Sequence, residues 1–242
     1  MTARLFRRRP MIAVATVVLV AGGAASISAM SGDDPPITAT PPMKSPVIVT
    51  KPAAPPPLQT SKSGDGFVVI QPVANSGNGR GARKAAGWTI PYSVEFEPGL
   101  RPHARQLAKI ADAALQDTQR GWNATGDRTL RRVGEATKAT IRVVLATPGK
   151  VDAHCATVGL NTAGIFSCWD GQRAMINLYR WENGASDFTS LGTYRRYVIN
   201  HEVGHGLGFG HHFCPTAGAP APVMMQQTKG TGACKPNAWP YP

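Results

Sequence analysis

The chain has 242 residues, 42% of them hydrophobic and 17% charged, with 26 Gly and 21 Pro. Those proportions exclude collagen, a continuous coiled coil and a polytopic membrane protein, and they leave room for one sizeable folded domain rather than two. Lys plus Arg outnumber Asp plus Glu by 26 to 14, a moderate excess that suits a solvated basic surface or attraction to an anionic envelope polymer; with no nucleic-acid module or base-stacking pattern beside it, nucleic acid is not an expected partner.

In chain order, Arg4, Arg7, Arg8 and Arg9 precede the uncharged stretch 11–30. Residues 1–30 therefore read as a signal peptide or an N-terminal transmembrane anchor: the stretch is long enough to span a bilayer, and the small residues at 25–29 offer a cleavage site. Either way the arginines stay cytoplasmic and the rest of the chain is placed outside, so an extracytoplasmic protein is expected, secreted or held to the membrane by one helix. Residues 31–64 are rich in Pro and poor in large apolar groups, which predicts an extracytoplasmic linker with polyproline character.

Residues 65–242 form the predicted domain. Segments 66–71 and 89–97 are enriched in β-branched and aromatic residues and predict strands, and the Gly-rich patch 75–86 between them predicts a loop. Pro102 can open a helix whose Leu107, Ile110, Ala111, Ala114 and Leu115 fall on one stripe, the pattern of a helix packed on a sheet. Segments 139–146 and 173–179 predict two further strands, separated by a Gly-containing loop that bears Cys155 and Cys168. Ser190 or Thr193 can cap a helix running from about Tyr194 through Asn200 into the next segment. The order of elements predicts an α/β (α+β) fold.

The even number of cysteines, Cys155, Cys168, Cys214 and Cys234, predicts two disulfides in an exported chain. Four cysteines allow three pairings; loop locality favours Cys155 with Cys168 and Cys214 with Cys234.

Residues 201–211 read HEVGHGLGFGH. On a helix His201 and His205 share one face, with Cβ atoms about 6 Å apart, close enough to grip one ion. Gly208 allows the chain to leave the helix through a positive φ and to bring His211 back to the same ion. Three neutral imidazoles at about 2.0–2.1 Å with one position left for water is a catalytic zinc arrangement, so Zn2+ is the expected cofactor. Glu202, beside His201, can lean over that position without being a ligand and act as general base, since zinc lowers the pKa of bound water to about 7. His103 and His154 are expected at the surface or in loops, not as ligands, and His212, beside His211, either supports the site from behind the ligands or lies at the surface.

At these residues the chain resembles the metzincin clan of zinc endopeptidases. The resemblance implies a mixed, mostly parallel sheet with packed helices, an active-site helix and an irregular C-terminal subdomain with a methionine turn beneath the metal. In APAPVMMQQT (219–228) that methionine would be Met224, with Met225 as the alternative, and a Cys214–Cys234 bridge would hold the turn; no tyrosine follows at the place where some branches carry one. The clan binds extended substrate along an edge strand, for which 174–179 is the comparable segment. More closely, the runs 159–181, 197–211 and 222–230 with CKPNAWP are similar to an uncharacterised actinobacterial family of exported or anchored proteins.

The function expected is an extracytoplasmic zinc-dependent metalloendopeptidase with Glu202 as base and His201, His205 and His211 as ligands, acting on protein or peptide substrates or a cell-envelope component. A zinc amidase of cell-wall peptides and a non-catalytic, zinc-containing envelope-binding module remain open alternatives.

Overall fold

The structure, a computed structural model, describes residues 56–73 and 87–242. Residues 1–30, read as an export signal or anchor, most of the stretch read as linker and all of the patch 75–86 lie outside the described residues. Among the described residues no helix is long and apolar enough to cross a membrane.

The chain begins with β1 (Thr60–Lys62) and β2 (Val68–Ile70), then β3 (Trp88–Phe96) and helix α1 (Arg101–Leu115). It continues with β4 (Arg128–Arg132), β5 (Ile141–Ala146), α2 (Pro148–Ala156), β6 (Cys168–Trp169), β7 (Arg173–Asn177), α3 (Leu178–Asn183) and α4 (Leu191–Gly206). One sheet runs in the order β1-β2-β3-β5-β7-β6, with β4 also on β3. Strand β3 is wide enough to hold β4 along its first half and β2 at its end, while β5 takes the opposite edge. The ladders β3–β4, β3–β5 and β5–β7 are parallel, and the shorter β1–β2, β2–β3 and β6–β7 ladders are antiparallel. The fold is thus mixed α/β.

Period-two alternation assigns the two faces of this sheet. Val143, Leu145, Ala174 and Ile176 face the main core with α1 and α4, while Val144, Ala146 and Met175 face a smaller core with Phe67, Val151 and Cys155. The central strands are therefore covered on both sides, and β5 is buried at all six positions, with the charge of Arg142 met by Glu95 and Asp65. Helix α1 buries Ala104, Leu107, Ala111, Ala114 and Leu115, the stripe expected, with Ile110 only half-buried at its margin.

Four sequence expectations need correction. Thr60–Lys62, inside the stretch read as linker, pairs with β2 as an outer strand. Cys155 lies on α2, not in a loop: a short helix with Pro148 in its first turn was hidden by low amphipathicity. The strand expected at 173–179 ends at Asn177, whose side chain accepts from the Tyr179 N–H and caps α3. That strand is also internal, since β6 covers its outer side, so the edge beside the helix is Cys168–Trp169.

Both disulfides form as loop locality suggested, Cys155–Cys168 and Cys214–Cys234. Two such bridges fit an oxidising, extracytoplasmic compartment.

Candidate metal centre

Helix α4 begins where Ser190, not Thr193, serves as N-cap; its side chain accepts from the Thr193 N–H. Tyr194, Tyr197, Val198, Ile199 and Val203 then bury the helix against the sheet and α1. The helix stops in a paired arrangement in which the Phe209 N–H reaches the Gly204 carbonyl and the Gly208 N–H the His205 carbonyl. Gly208 stands at φ +91°, the left-handed residue such a terminus requires. This bend reverses the chain and carries His211 back toward the helix.

The donor atoms of His201, His205 and His211 all lie within 4.8 Å of one another. The His211 ring stacks on that of His201 at 5.4 Å and meets that of His205 edge-on at 4.7 Å. His201 Nδ1 is 2.8 Å from the Val223 carbonyl and His205 Nδ1 is 2.9 Å from the Phe209 carbonyl. A carbonyl only accepts, so each Nδ1 carries the proton and each Nε2 keeps a lone pair for an ion. Burial pulls the His201 imidazolium down to about 3 and lowers His205 and His211 as well. All three rings are consequently neutral near pH 7, the form that binds metal. This cluster could hold a metal ion.

Glu202 is buried, its carboxyl hydrogen-bonds to no described residue, and it lines the same cleft as the three imidazoles. Burial alone pushes its pKa up to about 8. A cation at the imidazoles would favour the carboxylate form again.

The turn beneath the helix is made by residues 222–225, closed by the Met225 N–H on the Pro222 carbonyl. Met224, not Met225, packs on the helix: a Cβ on Gly204 would overlap its sulfur and lie 2.8 Å from the Trp122 ring. The Met224 carbonyl accepts from the His212 N–H, one residue past the third imidazole. His212 itself is exposed and outside the cluster, His154 pairs with Asp170, and His103 with Glu182.

Several supporting residues were not singled out from sequence. The Tyr197 hydroxyl donates to the Met225 carbonyl and accepts from the Gln227 N–H. Gln227 in turn bonds the Pro222 and Asn237 carbonyls, and Asn237 reaches the Ala221 carbonyl. One signal was available: Tyr197 precedes His201 by one helical turn on the same face. No local pattern identifies Gln227 or Asn237.

The cleft has a volume of about 440 Å³. Helix α4 supplies Tyr197, His201, Glu202 and His205, the stretch around β6 supplies Phe166 and Trp169, and the segment after the methionine turn supplies Thr228 and Lys229.

Residues 55–233 match the family described as "Protein of unknown function (DUF3152)". The chain belongs to the DUF3152 family. No curated protein and no solved structure matches it. The DUF3152 match encloses the three imidazoles, Glu202 and Met224, and it begins ahead of β1, which agrees with a folded part that starts before residue 65.

Proposed function

We propose that this chain is an extracytoplasmic, metzincin-like zinc endopeptidase, secreted or anchored through residues 1–30. The observation that carries the reading is the convergence, in one open cleft, of three neutral imidazole donors and a carboxyl group that hydrogen-bonds to no described residue. Three nitrogen donors with a carboxylate nearby favour zinc over harder cations such as Mg2+ or Ca2+, which prefer all-oxygen sites.

Zinc held there would polarise the scissile carbonyl and acidify a water molecule. The protein's own part is proton handling and positioning. Glu202, without a hydrogen-bond partner among the described residues and largely buried, takes the proton of the attacking water and returns it to the leaving amine. The Val223 and Phe209 carbonyls keep His201 and His205 in the required tautomer. The cleft opens beside the sheet edge at Cys168–Trp169, which suits an extended peptide bound through its backbone.

The test is a casein digest and an N-terminal cleavage profile of an envelope fraction, with the zinc-loaded wild type against Glu202→Gln. New N-termini that disappear in the variant are expected. Stoichiometric zinc without new N-termini would reject the enzyme, and cleavage confined to purified cell-wall peptides would move the reading to an amidase.

A further inference from the structure

On the far side of α4, Arg196 stands out among the described arginines that are partly or fully buried. The others have acceptors: Arg132 has Asp112, Arg142 has Glu95 and Asp65, Arg173 has Asp65 and Asp170, and Arg128 has Asp127. Arg180 and Arg195 donate to the carbonyls of Gly184 and Trp181. Arg196 has no hydrogen bond or ion pair to any described residue, and its Nε is buried without an acceptor. A guanidinium carries five donors and no acceptor, so a half-buried one left unpaired is costly unless a ligand supplies the oxygens.

A second guanidinium lies against the same indole as Arg196. Arg196 lies over the Trp239 ring at 4.8 Å and Arg120 over the same ring at 4.2 Å, so their central carbons are at most about 9 Å apart. Among the described residues the acid that acts on Arg196 is Asp117, and it reaches Arg120 only at 4.0 Å. Its other oxygen already accepts from the backbone N–H groups of Gln119, Arg120 and Gly121. The two positive charges thus lie close together with little compensation, and at Arg196 burial first and the charge of Arg120 second disfavour the charged form, with only Asp117 opposing them.

The platform is fixed in advance. Asn237 bonds both the N–H and the carbonyl of Trp239, and the Tyr241 N–H bonds the Arg120 carbonyl. Arg196 is five residues before His201, which at 100° per residue puts it well round the helix from the metal cluster.

We propose that Arg120, Arg196 and Trp239 form a binding site for a phosphate group, separate from the metal cleft. A carboxylate satisfies one guanidinium fork, whereas a phosphate presents oxygens on several sides and enough charge for two. Ring-stacked guanidiniums keep their N–H edges free for that contact.

Titration of the full chain with inorganic phosphate at low ionic strength tests this, with vesicles of phosphatidylglycerol as a second arm. One saturable phosphate site is expected, weakened about tenfold or more by Arg196→Gln and by Arg120→Gln and unchanged by Arg131→Gln at the exposed position of β4. Arg196→Lys keeps the charge but loses the fork, and it carries the test should Arg196→Gln not fold; it too should weaken binding. Vesicle binding lost in the same variants assigns a lipid headgroup as the source, and its absence beside phosphate binding assigns a soluble phosphate. No saturable binding by the wild type, equal binding by the clamp variants, or equally effective competition by acetate overturns the proposal.

Discussion

Gly204 and Met224 are in direct apposition: the methionine sulfur occupies the space that a Cβ on the glycine would need. The methionine turn therefore seats on the helix only because position 204, one residue before His205, has no side chain. The same turn offers the Val223 carbonyl to His201, so seating the turn and orienting the imidazole are one event.

That contact gives the first prediction. Gly204→Ala overpacks the seam and should cost about 1–3 kcal/mol, and by displacing Val223 it should also weaken metal binding. Met224→Ala leaves a cavity instead and should cost about 2–5 kcal/mol. Urea unfolding and metal titration of both variants measure the two effects; a Gly204→Ala protein with wild-type stability and metal affinity contradicts the contact.

Metal binding and turnover should separate by residue. His201→Ala, His205→Ala or His211→Ala should each abolish stoichiometric zinc, whereas Glu202→Gln should keep it and lower hydrolysis by about 10²–10⁴-fold. Chelation should remove activity and added zinc restore it. Metal analysis alongside turnover reads the distinction, and a Glu202→Gln protein as active as the wild type would reject the proposed role of the carboxyl as base.

Acid should act partly through Asp65. Its carboxylate accepts from both Arg142 and Arg173, and the hydrogen bond from Arg142 is the foremost reason that it is held well below the ordinary range. As pH falls below about 4 the unfolded chain takes up a proton that the folded chain refuses, so folding stability declines with falling pH. Asp65→Asn should be less stable near neutrality and show a shallower decline. Urea midpoints between neutrality and acid pH test the sign; a steeper decline in the variant would refute the linkage.

The bridge between Cys214 and Cys234 closes a loop of 20 residues in sequence separation and encloses the methionine turn. Replacing both cysteines by serine should cost about 3 kcal/mol on the chain-entropy view. It should also loosen metal binding, because the segment after His211 loses its tie to the C-terminal stretch. Thermal melts with and without bound zinc would show a larger loss than that of the Cys155–Cys168 double serine variant in the metal-dependent part.

Much of the frame was legible because its signals are local. The β-branched, largely apolar run in 139–146 marked β5, and the stripe from Leu107 to Leu115 marked α1. Where the signal was weak or shared, reading failed: β1 sits among prolines and gains its pairing only from β2, and α2 has little amphipathic contrast. Strand β7 looks like an edge until the two residues of β6 are seen to pair with it.

By itself the sequence determined the chemistry on one helix. Imidazoles four residues apart must share a face, a carboxyl beside the first must stand near them, and a glycine at 208 permits the bend, since each of these follows from the geometry of a few consecutive residues. Only the tertiary structure decided what lies across the chain: Val223 as the partner of His201, Met224 rather than Met225 under Gly204, Tyr197 and Gln227 bracing the turn, and Arg120 brought over Trp239 beside Arg196. Those pairings join residues far apart in sequence, and their energy comes from close packing and hydrogen-bond matching that no local pattern encodes.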